Sequence, residues 1–284
     1  MCSRHRLFAA AFIGAYIFSV AEASSAADYK HQDKPPVPTQ PASVVSYTVF
    51  ATGLGKPRGL RFGPSGELYV VEQSANRISR IGVDGRVTRF AEGLSDPHDV
   101  AIDAQGNVYV ADSGANRIAR VSSTGAVTTY IEGVEFPVDL DFNPQGELLV
   151  CELYRGRVTS FRNGQMVRVV ASGLEWPHGL AFGKSGETYI NENRGNRIVK
   201  VHADGRLVPF ALGERVVGII LGRSGALYAA ERGAGRVSKI RPDGTKVILL
   251  EGLNQPRDPA FDAAGNLYVA ETGTGRILRL SGDY

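Results

Sequence analysis

The chain has 284 residues, 43% hydrophobic and 21% charged, enough to bury a core without covalent staples. Its formal net charge is +3 with both signs interspersed and no basic tract, which excludes the electrostatic footprint of a nucleic-acid or anionic-lipid binder.

In chain order the first element is an export signal. Arg4, His5 and Arg6 form a basic region, Leu7 to Val20 an apolar run, and Ala21-Glu22-Ala23 a small-x-small cleavage site. That run falls well short of the roughly 20 residues that cross a bilayer as a helix, and Cys2 precedes it, which argues against lipid attachment. Residues 1–23 are therefore read as a signal peptide. Its removal leaves a net charge of +2 and Cys151 as the one remaining thiol, so no intramolecular disulfide can form. A secreted or periplasmic monomer without a stable membrane anchor is expected. Residues 24–44, with four prolines between Asp28 and Ala42, read as an extended linker.

From Val45 the sequence repeats. Pro57, Pro97, Pro137 and Pro177 fall 40 residues apart, and the series resumes at Pro256 with Val217 taken in the fifth copy's proline place. Gly66, Gly106, Gly146, Gly186, Gly225 and Gly265 keep the same beat, as do Arg77, Arg117, Arg157, Arg197, Arg236 and Arg276. Within the second copy, Asp99–Ile102, Val108–Ala111, Arg117–Val121 and Val127–Tyr130 are four short apolar stretches, each too short for a helix and separated by turn residues. Asp-Gly at Asp84, Asp204 and Asp243 marks tight hairpins. The copies thus predict four-stranded antiparallel sheets. One such sheet cannot bury both faces, so six must pack radially as a six-bladed β-propeller over residues 45–284. The sixth copy stops after three strands at Arg276–Leu280, while Ser46–Phe50 aligns with a fourth-strand segment. The segment ahead of the first copy is therefore expected to complete the last blade.

Pro97, Asp103, Gly106, Asn107, Tyr109, Asp112, Asn116, Arg117 and Ile118 make the second copy resemble the NHL repeat, and the likeness extends over the chain from about Val45. NHL propellers include the peptide-amidating lyase and the streptogramin B lyases, with gluconolactonases as more distant relatives. Others only bind partners, and the fold does not choose among these functions.

Two rings of residues lie where the proline-led first strand meets the end of the second. One is Glu72, Asp112, Glu152, Glu192, Glu231 and Glu271, each followed five residues later by an arginine. A pair repeated in every blade reads best as blade construction, with metal binding by one or two carboxylates as the alternative. The other ring, taken as Arg58, His98, Val138, His178, Gly218 and Arg257, differs from blade to blade and so carries more functional information. His98 and His178 stand two blades apart, roughly 120° on a six-fold axis. That placement resembles the peptide-amidating lyase, in which three histidines from alternate blades hold zinc. The third position here is Arg257, so a tri-histidine site requires a substitute such as Asp258.

His98, His178, Asp99 and Asp258 are accordingly the candidate ligands for a divalent metal, zinc, calcium or magnesium. The aspartates, Asp139 included, are equally suited to orienting strand starts. Arg58 and Arg257 suit bidentate binding of an anion or a plain surface role. Tyr154 is a candidate base or hydrogen-bond donor, Trp176 a candidate aromatic wall, and Cys151 a buried inert thiol. No serine-nucleophile elbow, Walker loop or dinucleotide fingerprint occurs, so no nucleotide cofactor is expected. Two functions follow: a metal-assisted lyase or hydrolase of a small molecule, with His98, His178, Tyr154, Arg58 and Arg257 as its catalytic set, or a non-catalytic propeller that holds a ligand or an extracytoplasmic protein.

Overall fold

A computed structural model describes residues 39–40, 45–183, 185–202, 204–282 and 284, so the expected signal peptide and most of the expected linker lie outside the described residues. Blade two shows how the repeat folds. Its strands run Pro97–Ile102, Val108–Asp112, Arg117–Val121 and Val127–Glu132, each antiparallel to the next. The second strand is buried at all five positions because a neighbouring blade covers each face, which explains its unbroken apolar character. In the first turn Asp103 accepts the amide hydrogens of Gln105 and Asn107, while Gly106 takes φ +80°, a conformation that favours glycine.

Six such sheets form the propeller, and Thr48–Ala51 pairs antiparallel with Arg276–Leu280 to supply the sixth sheet's fourth strand. The expected closure is therefore present. One added feature is Thr39–Gln40, which pairs in parallel with Lys246 and Val247 on the outer strand of blade five.

The acid–arginine pairs hold blades together. Glu72, 0% exposed, accepts hydrogen bonds from Arg77 Nε (2.7 Å) and Nη2 (2.9 Å), from the Gly55 amide (2.7 Å) and from Ser79 Oγ. Burial alone would raise its pKa, but these donors, Arg77 foremost, hold it below the ordinary value. Every blade repeats both contacts: an arginine, and a backbone amide 17 residues upstream such as Ser95 N to Asp112 at 2.6 Å. The carboxylate thus ties the loop entering the inner strand to the far end of the next hairpin.

Strand register corrects one alignment. Val216 pairs with Glu231 as Pro97 pairs with Asp112, so Val216, not Val217, holds the proline position of blade five. Val217 then joins the variable ring, and Gly218 belongs one step further along with Asp99. In every blade a register shift follows the proline position, for example between Pro97 and Val100. A bulge of this kind re-aims side chains at a strand's end, and here it brings consecutive residues to one channel mouth.

Candidate functional site

The post-proline ring forms the upper layer. The rings of His98 and His178 lie with centroids 6.3 Å apart, each beside an arginine. Arg58 Nη1 lies 2.5 Å from His98 Nε2 and 2.8 Å from its Nδ1, and Arg257 Nη1 reaches His178 Nε2 at 3.3 Å. His178 Nδ1 lies 2.8 Å from the Val217 carbonyl, which fixes the tautomer: Nδ1–H donates there, and Nε2 accepts from Arg257. Burial pushes the His98 pKa down to about 4, against the opposing pull of Asp96, and lowers that of His178 well below its ordinary value, with Arg257 adding to the effect. Both imidazoles are thus neutral. The arginines are perturbed too: burial lowers Arg58 to about 10 against the opposing pull of Asp96, with Arg232 adding to the effect, and lowers Arg257 to about 9, with Arg58 and then Arg232 adding to it against Asp258.

A second layer, one residue along each inner strand, reads Gly59, Asp99, Asp139, Gly179, Gly218 and Asp258. The three aspartates converge, offering one carboxylate oxygen each within 4.8 Å of the others. Two glycines make room for them, and a third in the same layer makes room for Asn191. An added Cβ would stand 2.1 Å from Asp99 Oδ1 at Gly59 and 2.0 Å from Asp258 Oδ1 at Gly218, and at Gly179 it would strike the Asn191 side chain. Leu140 N donates to Asp99 Oδ2 at 3.2 Å, but the buried Oδ1 atoms of Asp99 and Asp139 have no hydrogen-bond partner. Loss of water raises all three carboxyl pKa values, and mutual repulsion pushes Asp139 and Asp258 further.

Below them Arg61 pairs with Asp141 across the channel at 3.2 Å. Burial pulls the Arg61 pKa down, but four carboxylates, Asp141 first, outweigh it and hold it above its ordinary value.

The residues singled out in the sequence therefore fall in separate places. His98, His178, Arg58 and Arg257 share the upper layer; Asp99 and Asp258 share the second, together with Asp139. Tyr154 stands apart on the rim, 60% exposed and 4.9 Å from the Phe136 ring, which in turn packs 5.3 Å from His98. Trp176 is also at the rim, 39% exposed beneath Arg194. Cys151 is fully buried, and burial raises its thiol pKa. Sequence reasoning missed Arg61, Asp141 and Arg232. The first two interrupt a register otherwise filled by Ala101, Ala181, Ile220 and Ala260, and that comparison would have exposed them.

Residues 94–120 match the NHL repeat family. Six sheets closed by the N-terminal strand set the architecture around that repeat. The chain is a six-bladed β-propeller that contains an NHL repeat. Among solved structures, this propeller is similar to a streptogramin B lyase (17% identity, TM-score 0.70, 85% of this chain and 99% of that one). It is also similar to the virginiamycin B lyase of Staphylococcus aureus (21%, 0.65, 84% and 85%) and to a gluconolactonase of Xanthomonas campestris (18%, 0.74, 83% and 89%). At these identities the likeness carries the propeller's fold. No curated protein sequence matches the chain. Among the described residues, no helix of the propeller is long and apolar enough to cross a membrane.

Proposed function

We propose that this propeller acts on a small molecule at the channel mouth as a metal-assisted lyase or hydrolase, outside the cytoplasm. One observation carries the reading: Asp99, Asp139 and Asp258 converge in the channel with two buried carboxylate oxygens lacking any partner. Buried polar atoms without partners are uncommon, and hard oxygen donors in this number suit calcium or magnesium better than zinc. A divalent ion held there would supply Lewis-acid polarisation of a carbonyl or ester oxygen. In this reading His98 and His178, neutral and one residue from this layer in sequence, orient the substrate from the upper layer. In this reading Arg58 and Arg257 position the substrate from the upper layer, and Tyr154 meets it at the rim. The names of the similar structures, two lyases and a gluconolactonase, support an activity of this general kind without specifying it.

One observation favours the rival, a non-catalytic binding propeller. The Asp99 and Asp258 carboxyl groups converge closely, so a proton shared between them can satisfy part of the cluster without a metal. Elemental analysis of the purified protein, followed by calorimetric titration with calcium, magnesium and zinc, separates the two readings. Binding of a divalent ion, abolished by Asp139→Asn, is the expected result. A protein that neither contains nor binds any of the three refutes metal assistance.

A further inference from the structure

Two sets of arginines contrast in this propeller. Those at positions 77, 117, 157, 197, 236 and 276 each have a blade carboxylate within ion-pair distance. Arg58 and Arg257 do not. They occupy neighbouring inner strands, blades one and six, and Arg257 is only 7% exposed. Among the described residues neither guanidinium lies within 4.0 Å of a carboxylate, and the buried Nε of each has no partner at all. Their Nη1 atoms meet only the neutral rings of His98 and His178. Arg232 adds positive potential to both.

Asp96 and Asp258 offset the charges of Arg58 and Arg257 only from beyond ion-pair distance, and holding two guanidiniums, one buried and one half-buried, in that state is unfavourable; a protein tolerates it where a ligand brings a directly paired negative charge. The planar, forked donors of two guanidiniums match a carboxylate. The opposite side of His98 has different chemistry. The Phe136 ring bridges His98 and the exposed Tyr154. The mouth thus pairs a cationic wall with a flat apolar one.

We infer that the mouth binds a carboxylate anion carrying a planar apolar group, its carboxylate on Arg58 and Arg257 and its flat face on Phe136 and Tyr154. This names a substrate class for the proposed site, and rests on that site being the ligand-binding mouth; it requires neither a metal nor turnover.

The test is direct binding, by calorimetry and thermal shift, of phenylacetate, its neutral isostere phenylacetamide, acetate and inorganic phosphate. Each is titrated into the full mature protein, with and without EDTA. Phenylacetate should bind at least tenfold more tightly than phenylacetamide, acetate or phosphate. Arg257→Gln should weaken phenylacetate at least tenfold and leave phenylacetamide unchanged. The same substitution should raise the melting temperature of the ligand-free protein, because it removes a buried charge that no described carboxylate pairs with directly; this readout separates lost binding from lost folding. Tyr154→Ala should weaken phenylacetate but leave acetate unchanged. Equal affinity for acid and amide, tighter binding of phosphate, no binding of any probe, or an Arg257→Gln variant that keeps wild-type affinity overturns the inference. Phenylacetate binding that survives EDTA in a protein without divalent affinity would refute the metal reading alone.

Discussion

Arg77→Leu tests whether the repeated acid–arginine pairs build blades or serve a ligand. In the folded protein Glu72 is fully buried and accepts four hydrogen bonds, two of them from Arg77 at 2.7 and 2.9 Å. Removing one partner of a buried pair typically costs about 3–5 kcal/mol. Two features reduce that figure: the Arg77 side chain is 21% exposed, so water can enter, and the Gly55 amide and Ser79 hydroxyl remain. A loss of about 2–3 kcal/mol is therefore expected. Urea unfolding measures it, with the slope recorded so that altered cooperativity is visible.

The pH dependence gives a second check. Glu72 titrates near 4.5 when unfolded and below that when folded. Its ion pair therefore contributes fully above the unfolded value, and the contribution is lost as pH falls through the folded one. The stability gap between wild type and Glu72→Gln should be wide at neutral pH and close on acidification. An Arg77→Leu protein within about 0.5 kcal/mol of wild type would refute the structural assignment, as would a gap that does not change with pH.

Two further outcomes test the channel and the closure. Gly218→Ala places a methyl group 2.0 Å from Asp258 Oδ1 and 3.0 Å from Pro259 Cδ, so divalent-ion affinity should fall more than tenfold and melting should drop; wild-type affinity would show that Asp258 is dispensable. Deletion through Ala42 removes only the two-residue Thr39–Gln40 pairing and should lower the melting temperature slightly with the protein still monodisperse, whereas deletion through Ala51 should expose the edge of Arg276–Leu280 and yield aggregates by size-exclusion chromatography. Equal behaviour of the two truncations would contradict closure by that strand.

The blades were legible because their determinants are local and repeated. Proline, turn glycine and acid–arginine spacing recur at every copy, and the shortfall of one strand at the C-terminal end matched the surplus at the other. The channel was harder to read because its chemistry depends on depth. Adjacent residues such as His98 and Asp99 enter different layers after a bulge, and nothing in their spacing reveals that His98 meets Arg58 while Asp99 meets Asp139 and Asp258. The proline missing from blade five also hid the register, which only the pairing of Val216 with Glu231 restores. Arg61 and Asp141 went unnoticed because they pair across the axis between blades one and three, a contact invisible to any comparison made within one repeat.

The seam of the ring has a consequence for maturation. Five of the six sheets draw all four principal strands from one continuous stretch and can form as the chain emerges. The sixth needs Thr48–Ala51 beside Arg276–Leu280, and Thr272 Oγ1 donates to the Pro57 carbonyl at 2.6 Å across 215 residues of sequence. Contacts of such long range slow folding more than they weaken the final state. Arg58 and Arg257 sit on the two sides of this seam, so an unsealed intermediate could possess most of its core and still lack a complete anion pocket. Ligand capture would then report that the last strand has docked, and a delayed rise in binding relative to burial of aromatic side chains would mark that step during refolding.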